Sequence, residues 1–415
     1  MKICYFTGDI SVQDGHGGAT HVLEVSRHLS HLGNEITVVS TKKQPNFPEI
    51  GKSIHVVAIR PPRFLKGPAA SFGLALRLCR QTSGADILYV RSSSKDYVAT
   101  FVGLLRNRPI VLEVNDPGWS FPSLKWADRI VTTSEMILTM NLSGERARKS
   151  MWENKVRVVT WAGNTHLFNP DIDGTYVRAR CKIPADAPVV LYSGGFYPWH
   201  GLDNLVEASV KVLRSHPETC FLCVGHGEHF EKIVNLTIQH NVYNKFIFTG
   251  KVPYEEIPLF VASADITVAP YDPRKHHVTR RLGFFYTPIK LFEYMAAGKP
   301  IVTTDTGNIR NIVRNGVNGI IIKPGDPRTL AEAITFLIEN KDKAKDMGRA
   351  ARIISLSSYS WEKHADILDE TFQAARKYFT KKTSSRLLGV LELSTYFVTQ
   401  FIRRKIRNIL QSRFE

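Results

Sequence analysis

Short runs of β-branched and aliphatic residues recur along this chain, separated by segments whose apolar positions fall every three or four residues. The runs predict strands. In the first half these are Lys2–Phe6, Glu35–Ser40, Ile54–Ile59, Ile87–Arg91, Ile110–Val114, Arg129–Thr133 and Val156–Thr160. In the second they are Val189–Ser193, Thr219–Val224, Phe246–Gly250, Ile266–Ala269, Pro300–Thr303 and Gly319–Ile322. The intervening segments read as helices. After Gly17 and Gly18, Val22, Val25, Leu29 and Leu32 line one face; after Gly201, Leu202, Leu205, Val206 and Leu213 do the same, with Val212 beside them. Strands alternating with helices of this length predict parallel sheets covered on both faces.

The pattern runs through twice, joined by the irregular stretch Trp161–Pro188, which holds three prolines with Gly163 and Gly174. Two doubly wound α/β domains facing across a cleft are therefore expected, with ligands outside the carboxyl ends of the strands. A length of 415 residues agrees, being too long for one core. The expected division is a first domain over 1–166, a second over 167–359, and a helix over 360–378 that returns to the first. Ser360 is its predicted N-cap, and Ile367, Leu368, Phe372 and Ala375 its apolar stripe.

Charge adds a separate feature. The net charge of +17 favours polyanionic partners. Residues 376–415 hold ten Lys or Arg against two Glu, so +8 of the excess lies there. In the tail 380–415, Leu387, Leu388, Leu391, Phe397, Phe401, Ile402 and Ile406 mix with Arg403, Arg404, Lys405 and Arg407. Such a segment is expected to lie on an anionic membrane surface by its apolar face; packing on its own protein or on a second subunit is the alternative. Nucleic acid is not an expected partner, since no basic run interleaved with aromatics and no zinc pattern is present.

The five scattered cysteines point to a reducing compartment, and Cys220 and Cys223 read as positions of a buried strand. The first residues enter a strand directly, without a signal-peptide pattern, and no apolar run reaches membrane-spanning length. A cytoplasmic protein, at most peripheral on the inner face of the membrane, is expected. His226 with His229 and His276 with His277 lack the ligand spacing of a metal site and read as loop histidines.

Candidate chemistry concentrates in Thr287–Gly298. Pro288 suits a first helical turn, whose N–H groups, with Lys290 beside them, can hold a diphosphate. Glu293 can accept from a ribose hydroxyl pair. An ordinary amphipathic helix burying Leu291, Tyr294 and Met295 explains the same residues equally well. Glycine turns follow three consecutive strands: Gly194–Gly201, Gly225–Gly227, and Gly250 before Lys251, Val252 and Pro253. Asp14–Gly18 forms another after the first strand. Glu113–Asp116 and Arg91 end neighbouring strands, where capping is the preferred reading.

The order of these segments resembles glycosyltransferase family 4, a group of retaining enzymes with the GT-B fold, over the chain up to about Tyr378. Gly17–His21 is similar to the family's acceptor-side glycine loop, and Ala127–Ser134 to the segment after its first-domain active-site strand. Gly194–Gly201, Ala264–Pro270 and, most specifically, Pro288–Gly298 resemble its donor-domain signatures. The resemblance implies a nucleotide diphosphate sugar as donor, no cofactor and no metal, and a glycan, glycolipid or lipid-linked acceptor. It assigns base contacts to Gly225, Lys251 and Val252, ribose to Glu293, and diphosphate to Gly194, Gly195, His200, Pro288, Lys290 and Leu291. Asn115, Lys290 and Glu293 are the implied catalytic residues; Gly17, Gly18, Arg91 and Asn115 lie on the acceptor side. There are three departures from the family, at four positions: Phe285 stands for its first glutamate, Gly195 and His200 for an arginine and a lysine, and Asn115 for a histidine. Arg280 or Arg281 is expected to replace the missing arginine.

Overall fold

A computed structural model of the chain describes residues 1–10, 17–42, 53–60, 68–92, 95–142, 152, 154–380 and 385–411, with side chains up to residue 399. Residues 14–16 of the expected glycine turn and the ends of the tail lie outside the described residues. Contacts divide the chain into two units. One is built from the chain up to Thr160, apart from residues 15–17, and from His364 onward; the other runs from Trp161 to Lys363. The division thus falls at Trp161, where the sequence reading placed it after 166.

The first unit holds a seven-stranded parallel sheet, ordered β3-β2-β1-β4-β5-β6-β7. Its strands are β1 (Lys2–Gly8), β2 (Glu35–Ser40), β3 (Ile54–Ala58), β4 (Ile87–Val90), β5 (Ile110–Val114), β6 (Arg129–Thr132) and β7 (Val156–Val158). The central strands β4 and β5 are buried at every position, as runs without polar alternation require. Helix Trp361–Thr380 completes the unit from His364 onward. Ala365, Leu368, Phe372 and Ala375 are buried at helical spacing, and the Phe372 ring meets Tyr89 at 5.1 Å. Ser360 Oγ accepts from the Lys363 N–H at 3.4 Å, which is the expected cap.

Helix Arg386–Gln411 lies on helices Asp96–Leu105 and Phe121–Trp126 of the same unit. The buried Arg386 guanidinium pairs with Asp128 at 3.1 Å. Glu392 accepts from Lys125 at 2.7 Å and from the Trp126 indole at 2.9 Å. Phe397 packs edge-on against Tyr97 and Phe101. A Cβ on Gly389 would stand 2.8 Å from Leu104 and Trp126, so only glycine admits this close approach. One face of the tail helix therefore packs on its own protein.

The second unit holds a six-stranded parallel sheet ordered β10-β9-β8-β11-β12-β13. Its strands are β8 (Val189–Ser193), β9 (Cys220–Val224), β10 (Phe246–Gly250), β11 (Ile266–Ala269), β12 (Ile301–Thr304) and β13 (Gly319–Ile322). Alternate residues feed two cores: Val189 and Leu191 of β8 enter one, Val190 and Tyr192 the other. Strand order reverses between β8 and β11 here, and between β1 and β4 in the first unit. At such points the carboxyl ends of neighbouring strands part and leave room for a ligand.

Candidate functional site

In the second unit the glycine turns after β8, β9 and β10 interlock. The Gly194 N–H donates to Val224 at 2.8 Å, and the Gly225 N–H to Gly250 at 2.9 Å. Gly225 has φ +129°, and a Cβ there would lie 2.0 Å from the Gly194 carbonyl oxygen. Gly250 also has positive φ, at +70°, but open space around it. Gly225→Ala is therefore expected to cost well over the 1–2 kcal/mol of left-handed strain that Gly250→Ala carries alone, because backbone must also move. Thermal melts of the two variants check this.

Helix Ile289–Ala296 begins beside these turns. Pro288 is its extended N-cap, with φ −77° and ψ 111°, so the proline stands just outside the first turn in which it was expected. Among the described residues no side chain caps this helix. Lys290 is buried, its Nζ 3.9 Å from the centre of the Tyr192 ring and 5.6 Å from that of Tyr271. A Cβ on Gly194 would stand 2.7 Å from Nζ, so the glycine turn and the ammonium adjoin. Nζ has no hydrogen-bond partner among the described residues. Burial pushes the Lys290 ammonium down to about 7, against the upward pull of Glu293. A cation held dry between aromatic faces, without an acceptor, is arranged to receive an anion.

The remaining residues extend this picture. His200 Nδ1 lies 2.5 Å from the Gly195 carbonyl and 2.8 Å from the Tyr192 hydroxyl, which itself donates to Gly195 at 2.6 Å. Burial and the adjacent Lys290 push His200 well below its usual range, so it is neutral. With Nδ1–H turned to the carbonyl, Nε2 is left as an acceptor. Glu293 is buried one turn along from Lys290, and Leu291 is fully buried in the core. The Tyr294 hydroxyl accepts from the Ser193 N–H at 2.8 Å, which ties this helix to the end of β8. Lys251 is exposed after β10, and Val252 packs against the core. Phe285 is buried against Tyr286, and Arg280 and Arg281 are exposed at the end of helix His277–Leu282.

A cavity of 440 Å³ opens at the opposite, amino-terminal edge of this sheet, lined by Arg178, Asp265, Lys299 and Lys341 among others. Arg178 and Lys299 direct N–H groups to backbone carbonyls there, so these cations serve the fold.

In the first unit the carboxyl ends of β4 and β5 carry Arg91 and Asn115, and a single buried carboxylate joins them. Glu113 accepts from Arg91 Nε at 3.2 Å, Asn115 Nδ2 at 2.5 Å, Tyr89 at 2.6 Å and Tyr5 at 3.2 Å. His21 Nε2 stands 3.0 Å away. Burial pushes the Glu113 carboxyl up, yet His21, Arg91 and Tyr89 together hold it well below the usual carboxylate range. Burial pushes His21 down to about 3, so it is neutral. Arg91 also donates to the Gly18 carbonyl at 3.1 Å, and Gly17 and Gly18 open helix Gly17–His31. Only an N–H can face a carboxylate, so the Asn115 amide is fixed, and its buried Oδ1 has no partner among the described residues.

The sequence-predicted residues thus form two groups, one around Glu113 and one around Lys290, with Gly17 itself assigned to the second unit. Glu113 is the residue whose weight was missed, having been read as a strand-end cap. A signal existed: Tyr5 and Tyr89 sit in register on neighbouring buried strands, and a buried tyrosine hydroxyl demands a partner. Among the described residues no group of His, Cys, Asp and Glu is gathered at metal-ligand spacing.

Two family profiles match the chain. "Glycosyltransferase Family 4" covers residues 15–144 and "Glycosyl transferases group 1" covers residues 176–354. A GDP-mannose-dependent alpha-(1-6)-phosphatidylinositol monomannoside mannosyltransferase of Mycolicibacterium smegmatis is 28% identical over 216 residues, 52% of this chain and 55% of that protein. A glycogen synthase of Mycobacterium tuberculosis is 27% identical over 226 residues, 51% of each. The chain spans about half the length of the curated relatives it matches. Among solved structures, Anabaena HepE in complex with UDP superposes with a TM-score of 0.71 at 17% identity, covering 90% of this chain and 100% of that one. Sucrose-phosphate synthase from Thermosynechococcus elongatus gives 0.70 at 18%, covering 90% and 98%.

Proposed function

We infer, since the chain belongs to the group 1 and family 4 glycosyltransferases and has their GT-B fold, that it moves a glycosyl residue from a nucleotide diphosphate sugar to a glycan or lipid-linked acceptor. The observation that carries this reading is the buried Lys290 ammonium, without a hydrogen-bond partner among the described residues, at the start of an uncapped helix beside Gly194. In the proposed complex the diphosphate lies against Lys290, the backbone N–H groups of Ile289 and Lys290 and the Gly194–Gly195 turn, with His200 at its edge. Glu293 takes the ribose hydroxyls, and Gly225 with the backbone of Lys251 and Val252 borders the base.

Breaking the glycosidic bond leaves negative charge on the departing diphosphate while positive charge grows on the anomeric carbon. Lys290 and the helix amino terminus stabilise that negative charge as it develops. With this charge supplied by the protein, the reaction needs no metal ion, so turnover is expected to survive chelation by EDTA. Asn115 Oδ1 receives a substrate hydroxyl, with Arg91 and the Gly17–Gly18 turn on the acceptor side. Retention of anomeric configuration is what the family resemblance implies. All five cysteines are unpaired, which supports work in the reducing cytoplasm.

The test is release of nucleoside diphosphate from UDP-glucose, GDP-mannose and ADP-glucose, with glycolipid and lipid-linked extracts as acceptors, with and without EDTA. Acceptor-dependent release from one donor is expected. Nucleotide binding without turnover on any donor would favour a catalytically degenerate protein that serves as a binding partner.

A further inference from the structure

The terminal helix has a second face that its packing does not use. Leu393 and Phe397 turn inward, whereas Leu387, Leu388, Leu391 and Val398 are exposed, Leu387 to 73% and Val398 to 59%. At a helical 100° per residue these four share an arc of about 100°, with Ser394 and Thr395 exposed beside them. The sequence carries the same spacing onward in Ile402, Ile406 and Ile409. Helix Pro68–Gln81 packs next to it and exposes Phe72 and Leu76, one turn apart. Tyr97 links the two helices, its hydroxyl 3.4 Å from Ser71 and its ring 6.0 Å from that of Tyr396. Large apolar side chains gathered on adjacent helices mark an interaction surface, unlike single exposed leucines.

The charge around this face has one sign. Helix Pro68–Gln81 contains no acidic residue and exposes Arg77 and Arg80. The terminal helix contains one acid, Glu392, which Lys125 and Trp126 already hold. Its sequence continues with Arg403, Arg404, Lys405 and Arg407. We propose that this face lies on the surface of an anionic lipid bilayer, its leucines and Phe72 entering the boundary of headgroups and acyl chains while Arg77 and Arg80 meet acidic headgroups. A second copy of the chain is a poorer occupant, because two such faces would oppose like charges without an acid between them. Among the described residues no helix is long and apolar enough to cross a membrane, so the contact is along the surface. The proposal rests on the first unit alone and is independent of the donor reading.

The test is co-sedimentation of the full chain with vesicles of phosphatidylcholine, and of phosphatidylcholine mixed with phosphatidylglycerol. Binding is expected to the mixed vesicles only and to weaken with added salt. The triple variant Leu387→Ser, Leu391→Ser, Val398→Ser is expected to bind roughly tenfold or more weakly, while keeping the melting temperature and nucleotide affinity of the parent. Equal partition to both vesicle types, or a triple variant that pellets like the parent, overturns the proposal. So does a dimer in light scattering that the triple variant abolishes while the parent binds no vesicle. None of these outcomes touches the nucleotide measurements.

Discussion

Replacing Lys290 by methionine is expected to weaken nucleoside diphosphate binding by roughly 10- to 150-fold, the equivalent of one charge-assisted hydrogen bond of about 1.5–3 kcal/mol. Methionine keeps the volume between Tyr192 and Tyr271 and removes only the charge, so the melting temperature should hold or rise. The pH dependence separates this from a structural effect. In the free protein the ammonium titrates near 7, so it is charged below that pH and neutral above it. A bound diphosphate favours the charged form and raises the pKa in the complex. Affinity is therefore highest at and below neutral pH, and falls about tenfold per pH unit above 7 until the pKa of the complex is reached. A phosphate is fully ionised in that range, its second pKa lying near 6, so the slope belongs to the protein. Lys290→Met should lose the slope as well as the affinity. Titrations at pH 7.5 and 9 on both proteins check it.

The second large effect is on stability. Glu113→Leu should destabilise the first unit by about 3–5 kcal/mol, because it takes from the buried Arg91 guanidinium the carboxylate it donates to and strips the Tyr5 and Tyr89 hydroxyls of their acceptor. Glu113→Gln keeps the shape and one acceptor oxygen and should cost less. Acid gives an independent readout. The folded carboxyl is held below its unfolded value near 4.3. Its share of stability is present above that pH and is lost progressively as pH falls through the range below it. Urea melts across pH 3–7 should show the parent losing stability more steeply than Glu113→Gln. Equal slopes would mean that the carboxylate contributes nothing by its charge.

Much of this architecture could be read from periodicity. All thirteen described strands lie within two residues of where their β-branched runs end, and central ones such as β4 and β5, buried on both faces, leave no polar interruption to misread. The returning helix was legible for a similar reason, its Leu368, Phe372 and Ala375 repeating at helical steps. Lys290 and Glu293 fit an ordinary amphipathic helix equally well by their spacing, and it is the three glycine turns after consecutive strands, with the order of segments that resembles the family, that single them out. What stayed hidden is non-local. Tyr5, His21, Tyr89 and Glu113 lie up to 108 positions apart in the chain and meet only because β1 pairs with β4 and β4 with β5. Nothing local distinguishes Glu113 from a strand cap. The tail showed the same limit: its amphipathic composition was plain, but that one face would lock onto Asp128 and Lys125 depends on contacts across more than 250 positions.

Whether the second unit holds a donor diphosphate at Lys290 is decided by a calorimetric titration of UDP, GDP and ADP into the parent protein at neutral pH, repeated on Lys290→Met. One nucleotide is expected to bind clearly more tightly than the others, and its affinity to fall roughly 10- to 150-fold in the variant. If no nucleotide binds, or if binding persists undiminished in Lys290→Met, the second unit does not hold a donor diphosphate at Lys290.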